Sequence, residues 1–263
     1  MKKTVLLFFV LTAVLCTSVL PIQAQAVRYQ WYCKHVKGHV QPILDERLAF
    51  VEEHNAYYID RRHTEADSAD KVIYLTFDAG YENGNIEKTL NILQEQKVPA
   101  AFFILENLIV KNTDLVKRMA NEGHTVCNHT AHHKDMSGWQ EDAVLEELES
   151  LEQLYFERIG GKMAKYYRPP EGVFSCENLD CLSQIGYKTV FWSFAYPDWD
   201  NQKQMSAERA KQIILENLHN GEVMLLHPTS NTNVEILADV ISEIRAQGYR
   251  FGTLDELTGA TGE

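Results

Sequence analysis

The sequence predicts an α/β fold, a distorted (β/α)7 barrel of parallel strands, and three observations point to it. From Lys71 onward, short apolar runs alternate with stretches of helical periodicity, as repeated βα units do. Glycines stand just beyond four of the helical stretches. Polar residues able to do chemistry follow strand after strand, at five strands in all. Repeated βα units need parallel strands joined by right-handed crossovers, which leaves an open doubly wound sheet or a barrel. In an open sheet only the loops beside the switch point converge, whereas every carboxyl-end loop of a barrel surrounds one mouth. Five such positions therefore favour the barrel.

The elements follow in order. The first strand, 72–77, is the run Val-Ile-Tyr-Leu-Thr-Phe, and the helical pattern over 86–96 leads to the strand 100–105, Ala-Ala-Phe-Phe-Ile-Leu. A helix over 113–121 stops before Gly123, and the strand 124–128 follows. The helix over 140–156 carries Leu148, Leu151 and Tyr155 at spacings of three and four, a buried stripe that is core and not a ligand set. The strand 166–168 ends at Arg168. The helix 176–184 stops before Gly186, ahead of the strand 187–192. The helix 207–218 stops before Gly221, ahead of 223–226, and the helix 234–246 stops before Gly248, ahead of 250–253. At each of these glycines a left-handed closing residue costs least, because no Cβ is present.

The chain has 263 residues, 45% hydrophobic and 24% charged, the composition of an ordinary globular protein of one or two domains. Its formal charge of -12, with no cluster of Lys and Arg, argues against a nucleic-acid partner. Lys2 and Lys3 precede an apolar run over 5–14, and Ala24-Gln25-Ala26 supplies a small-x-small cleavage site, so residues 1–26 read as a secretory signal peptide. The mature chain is expected from Val27, exported to the cell envelope or beyond, and no later run approaches a membrane span. Residues 27–70 lack the βα rhythm and hold Trp31, Tyr32, Tyr57 and Tyr58, so they read as an extension packed on the main domain over 71–257, with a tail over 258–263.

Four cysteines lie beyond the leader: Cys33, Cys127, Cys176 and Cys181. Only Cys176 and Cys181 are close enough in sequence to suggest a pair. On one helix, five residues of separation would turn their side chains about 140° apart, so a bridge would need irregular backbone, and a reduced pair is the equal alternative.

The polar residues at the strand ends carry the chemistry. Asp78 follows the first strand in Thr76-Phe77-Asp78-Ala79-Gly80, where Gly80 relieves the backbone beside the carboxylate; an Asp here is otherwise a plain helix cap. His129 follows the third strand, with His132 and His133 in the same loop. The spacing His129-x-x-x-His133 would set both imidazoles on one side of a helical turn, as a divalent metal requires. In Arg168-Pro169-Pro170-Glu171-Gly172 two prolines fix the chain, delivering Arg168 with little freedom to pair with a carboxylate such as Asp78. Asp198-Trp199 follows the fifth strand. His227 ends the sixth, where a satisfied core histidine is the other reading.

On these residues the sequence resembles the polysaccharide deacetylases of carbohydrate esterase family 4. Thr76-Phe77-Asp78, Asn128-His129-Thr130-Ala131-His132-His133, Arg168-Pro169-Pro170-Glu171-Gly172, Asp198-Trp199 and Leu225-Leu226-His227 stand in the family's order across 71–257. The resemblance implies the NodB-homology type of distorted barrel and hydrolysis of the acetamide of N-acetylated sugars. It implies Asp78 as the base on the attacking water, His129 and His133 as ligands of a divalent metal ion such as zinc, and His227 as the acid on the leaving amine. Arg168 would orient Asp78, and Asp198 would support His227. One departure stands out: typical members follow the first Asp with a second that binds the metal, and this chain has Ala79, leaving two histidines unless Asp78 or Glu82 adds an oxygen.

Within the family, Ala79-Gly80-Tyr81-Glu82-Asn83-Gly84 and an extension with Gln30-Trp31 and Gln41-Pro42 look most like the delta-lactam-biosynthetic de-N-acetylases of spore peptidoglycan, which also lack the second Asp. That implies N-acetylmuramic acid in peptide-free glycan strands as substrate, leading to muramic delta-lactam. An N-acetylglucosamine deacetylase of peptidoglycan or chitin, and a noncatalytic wall-binding homologue, are the alternatives. Trp139, Trp192, Tyr196 and Trp199 are candidates for stacking on sugar rings, and Cys127 is placed in the core and not among the ligands.

Overall fold

A computed structural model describes residues 26–260, so the export leader expected over 1–26 lies, except for Ala26, outside the described residues. The elements are β1 (Tyr29–Gln30), β2 (Ala56–Tyr57), β3 (Lys71–Ala79), α1 (Ile86–Gln96), β4 (Ala101–Ile104), α2 (Glu106–Lys111), α3 (Thr113–Asn121), β5 (Thr125–Asn128), α4 (Glu141–Arg158), β6 (Ala164–Tyr167), β7 (Val173–Phe174), α5 (Cys176–Gln184), β8 (Lys188–Val190), α6 (Ala207–Asn217), β9 (Glu222–Leu226), α7 (Asn231–Ala246), β10 (Tyr249–Phe251) and α8 (Leu254–Thr258). Gly123, Gly186, Gly221 and Gly248 all take positive φ beyond their helices.

The seven expected strands pair in parallel. β10, β3, β4, β5, β6 and β8 follow one another, with β9 also beside β3. The sheet curls into a half-barrel, and a single parallel bridge from Phe194 to Met224 spans the seam toward β9. This is the distorted barrel that the alternation of elements predicts.

Strand alternation divides the apolar residues into two cores. On β3, Ile73, Leu75, Phe77 and Ala79 turn toward the helices and pack with Leu90 and Leu93 of α1, Val116 and Met119 of α3, and Val240 and Ile241 of α7. Val72 and Tyr74 turn inward instead, where they meet Phe103, Cys127, Tyr166, Val190 and Val223. Each wholly buried side chain of this size contributes roughly 1.5–3 kcal/mol by leaving water, so both faces of the sheet are firmly fixed. The inward parity then carries chemistry to the strand ends. Two residues beyond Thr76 is Asp78, and two beyond Cys127, Tyr166 and Leu225 are His129, Arg168 and His227.

The extension is built onto the barrel by pairing over long separations. β1 pairs antiparallel with β7, and β2 runs parallel beside β8. Trp31, Leu48, Val51 and Tyr58 pack with Phe174, Leu179 and Phe191. The Trp31 ring stacks on Phe191 at 4.3 Å, and its Nε1 donates to the Trp192 carbonyl at 2.9 Å.

Two expectations are corrected. Asp78 does not follow its strand but lies within β3, which runs to Ala79 because Asp78 and Ala79 pair with Phe103 and Ile104. The loop after β5 forms no helical turn: Thr130 and His133 take positive φ, and the backbone is held by Thr130 N donating to Asn128 Oδ1 and His133 N to Thr130 Oγ1. Cys176 and Cys181 sit on the single helix α5 and are free thiols, the reduced alternative, and Cys33 and Cys127 are free as well.

Candidate active site

Asp78, His129, Arg168 and His227 meet at the carboxyl ends of four strands. Phe77 pairs with Leu226, which sets Asp78 and His227 next to each other across β3 and β9. Asn128 pairs with Tyr167, which does the same for His129 and Arg168.

Arg168 has no exposed surface. Its guanidinium donates to Asp78 Oδ1 at 2.8 Å, to Thr76 Oγ1 at 2.9 Å, and to the carbonyls of Val190 and Phe191 at 2.9 and 3.1 Å. It also lies 4.1 Å over the Phe103 ring. Burial alone would raise the Asp78 pKa, but the charges of Arg168, His129 and His227 hold it below the ordinary carboxylate value. Asp78 is therefore ionised and oriented, with its second oxygen 3.5 Å from His129 Nε2.

Asp198 is buried and faces His227. Its Oδ1 accepts from His227 Nδ1 at 2.7 Å, and its Oδ2 accepts from the His227 backbone N–H at 2.7 Å. Nδ1 is thus the donor, and Nε2 is left toward the mouth, where the side chain is 24% exposed. Burial opposes a charge on this ring, but Asp198, and after it Asp78, more than offset that and raise the His227 pKa above the ordinary imidazole value.

Of the three loop histidines only two face the site. His129 donates from Nδ1 to the Arg168 carbonyl at 2.8 Å, and its ring meets that of His133 edge-on at 5.0 Å. His132 turns away, to Glu147 of α4 at 3.0 Å and Glu106 of α2 at 3.3 Å.

The donors suit a loosely held divalent ion. Because His129 gives its Nδ1 proton to a carbonyl, its Nε2 keeps a lone pair, and burial, with Asp78 opposing it, lowers the ring's pKa to about 4. Asp78 Oδ2 is the carboxylate oxygen beside His129, and the other candidates are turned away or engaged. Ala79 faces the helix-side core with no exposed surface. The Glu82 carboxylate accepts from Gly84 N and Ile86 N, capping α1, and so is not free to add a ligand. Burial pushes the Cys127 thiol well up, as expected of a core residue. Among the described residues, no group of three or more His, Cys, Asp and Glu forms a complete metal site.

Side-chain amides that the sequence did not single out tie these loops together. Asn83, Asn85 and Asn201 all donate to the Thr229 carbonyl, at 2.8, 3.1 and 2.8 Å, joining the loop after β3 to those after β8 and β9. No pattern marks them in the sequence, since Asn in loops reads as turn chemistry. Of the four aromatic candidates, Trp199 is exposed and its ring lies 6.2 Å from His227, Trp139 is exposed, Trp192 lies over Arg168 at 5.8 Å, and Tyr196 is core.

Residues 65–190 match the family profile for polysaccharide deacetylases. Over 253 residues the chain is 35% identical to the peptidoglycan-N-acetylmuramic acid deacetylase PdaA of Bacillus subtilis, which covers 93% of this chain and 94% of that protein. A peptidoglycan-N-acetylglucosamine deacetylase of Bacillus cereus is 31% identical over 198 residues, 73% of this chain and 91% of the relative. The structure of B. subtilis PdaA, a family 4 carbohydrate esterase, superposes with a TM-score of 0.82 at 35% identity, over 88% of this chain and 97% of that one. A relative matched over most of both chains and a shared half-barrel lead to one conclusion: the chain belongs to the polysaccharide deacetylases of carbohydrate esterase family 4, enzymes that hydrolyse amide bonds.

Proposed function

We propose that the chain removes the acetyl group from N-acetylmuramic acid in peptide-free peptidoglycan strands, a step that leads to the muramic delta-lactam of spore cortex. The observation that carries the chemistry is the placement of an ionised carboxylate and an imidazole of raised pKa on neighbouring strands, each held by its own buried partner. Support for the sugar comes from the relative named for N-acetylmuramic acid, whose likeness covers 93% of the chain where the N-acetylglucosamine relative covers 73%. The same reading places the enzyme outside the cell, exported by residues 1–26.

In this reading Asp78 takes a proton from water as its oxygen attacks the acetamide carbon, and Arg168 keeps the carboxylate aimed and ionised. Asp198 holds the His227 imidazolium, whose Nε2 proton passes to the nitrogen as the C–N bond breaks, giving acetate and a free amine. His129 and His133 would hold a divalent ion, which when bound supplies Lewis-acid polarisation of the carbonyl and a more acidic water.

Treating defined peptide-free glycan with the enzyme and following it by mass spectrometry tests the proposal. Loss of acetyl from muramic acid is expected, with a further loss of water once the ring closes. Acetyl loss confined to N-acetylglucosamine would transfer the reading to that sugar, and no loss from either would end it.

A further inference from the structure

Asp198 receives a third hydrogen bond that no motif announces. Asn233, buried in the first turn of α7, donates from Nδ2 to Asp198 Oδ2 at 2.5 Å and to the His227 carbonyl at 3.2 Å. The amide cannot be reversed without setting its oxygen against the Asp198 carboxylate. Its Oδ1 is also held by the Tyr196 hydroxyl, and its backbone N–H by Ser230 Oγ at 3.1 Å. The side-chain donors to Asp198 are therefore His227 on one oxygen and Asn233 on the other.

We propose that Asn233 is a positioning residue for the deacetylation, fixing the Asp198 carboxylate through Oδ2 so that Oδ1 stays in line with His227 Nδ1 and the Nε2 proton stays aimed at the leaving nitrogen. The inference rests on the role of His227 given above. With the amide gone, the hydrogen bonds left on the Asp198 carboxylate are those from His227 itself, so the two side chains can swing together, and a misplacement of about 1 Å is enough to cost roughly 100-fold in rate. The groups bearing on the imidazole are Asp198 from the loop after β8, Asp78 from β3 and Arg168 beyond β6. Asn233 adds no charge to that set, but its N–H draws electron density from the carboxylate. Without it, Asp198 attracts the imidazolium proton more strongly, and the basic limb of the rate profile moves to higher pH.

The test is the pH dependence of kcat and KM for Asn233→Leu, Tyr196→Phe and His227→Ala, all checked for folding by circular dichroism. Asn233→Leu is expected to lower kcat roughly 10- to 100-fold with KM nearly unchanged, and to move the basic limb upward. Tyr196→Phe frees the amide oxygen and is expected to lower kcat less, with the same signature. If His227→Ala is inactive while folded Asn233→Leu keeps the parent kcat and profile, this inference falls and the role of His227 stands. If His227→Ala keeps full activity, that role falls first. Should Asn233→Leu fail to fold, parent kinetics in Tyr196→Phe overturn the inference, and a lowered kcat with a shifted limb supports it.

Discussion

Replacing Arg168 by Met keeps a long side chain but removes a guanidinium that has no exposed surface and four hydrogen bonds. The loss strands a buried carboxylate at Asp78 and leaves the carbonyls of Val190 and Phe191 without that donor. Deleting one member of such a pair costs about 3–5 kcal/mol. At about 2–4 °C per kcal/mol for a chain of this size, the melting temperature should fall by roughly 6–20 °C. The sign with pH follows from Asp78. Its folded pKa is depressed, so its contribution to stability is present above the unfolded carboxylate pKa and is lost as pH falls through the folded value. Without Arg168 the carboxyl takes its proton at higher pH, and the acid limb of acetate release should move up. Calorimetry on the parent, Arg168→Met, Asp78→Asn and the double variant closes the cycle: the double variant should be more stable than the two single losses added together, because no stranded charge remains. A melting temperature within about 2 °C of the parent for Arg168→Met, or strict additivity in the cycle, would refute the reasoning.

Asp198→Asn removes the charge that raises the His227 pKa, so the basic limb of the rate profile should move to lower pH and kcat should drop about 100-fold or more; an unmoved limb would contradict the pairing. The same linkage makes the stabilising effect of a protonated His227 present below the unfolded imidazole pKa and lost as pH rises through the folded one. Gly172→Ala should destabilise by about 1–3 kcal/mol in urea unfolding, because φ there is +67° and a Cβ would sit 2.8 Å from the Trp192 ring and 2.9 Å from Trp31 Cβ. Acetate release should fall in chelator and return with added zinc. Ala79→Asp, which places a carboxylate in the helix-side core, should lower the melting temperature. A rate indifferent to chelator would remove His129 and His133 as ligands.

Most of the barrel was legible because its strands are continuous runs of apolar, β-branched and aromatic residues, and four of its helices are followed by glycine. α1, α3 and α5 span the ranges that periodicity gives. What escaped has no period to read. β1, β2 and β7 are two residues each and exist only through partners far away in sequence. α2 has six residues and no side-chain cap. The residues that meet at the mouth could be named because each stands two places beyond an inward core residue, so parity carries them to one face. The helical turn expected for His129 and His133 failed for a local reason: the buried Asn128 side chain takes the Thr130 N–H and bends the chain into left-handed backbone. Asn233 left no mark because an Asn at the start of a helix looks like an ordinary end residue.

The long reach of the extension dictates an order of assembly. Trp31 finds its carbonyl partner 161 residues downstream, and Asn55 donates to Tyr187 across 132 residues. A chain delivered from its amino end thus has no native home for its first segment until most of the barrel has arrived. Contacts of such separation are slow to form. Residues 27–70 are therefore expected among the last to settle, a late fastening that only a nearly complete barrel can receive.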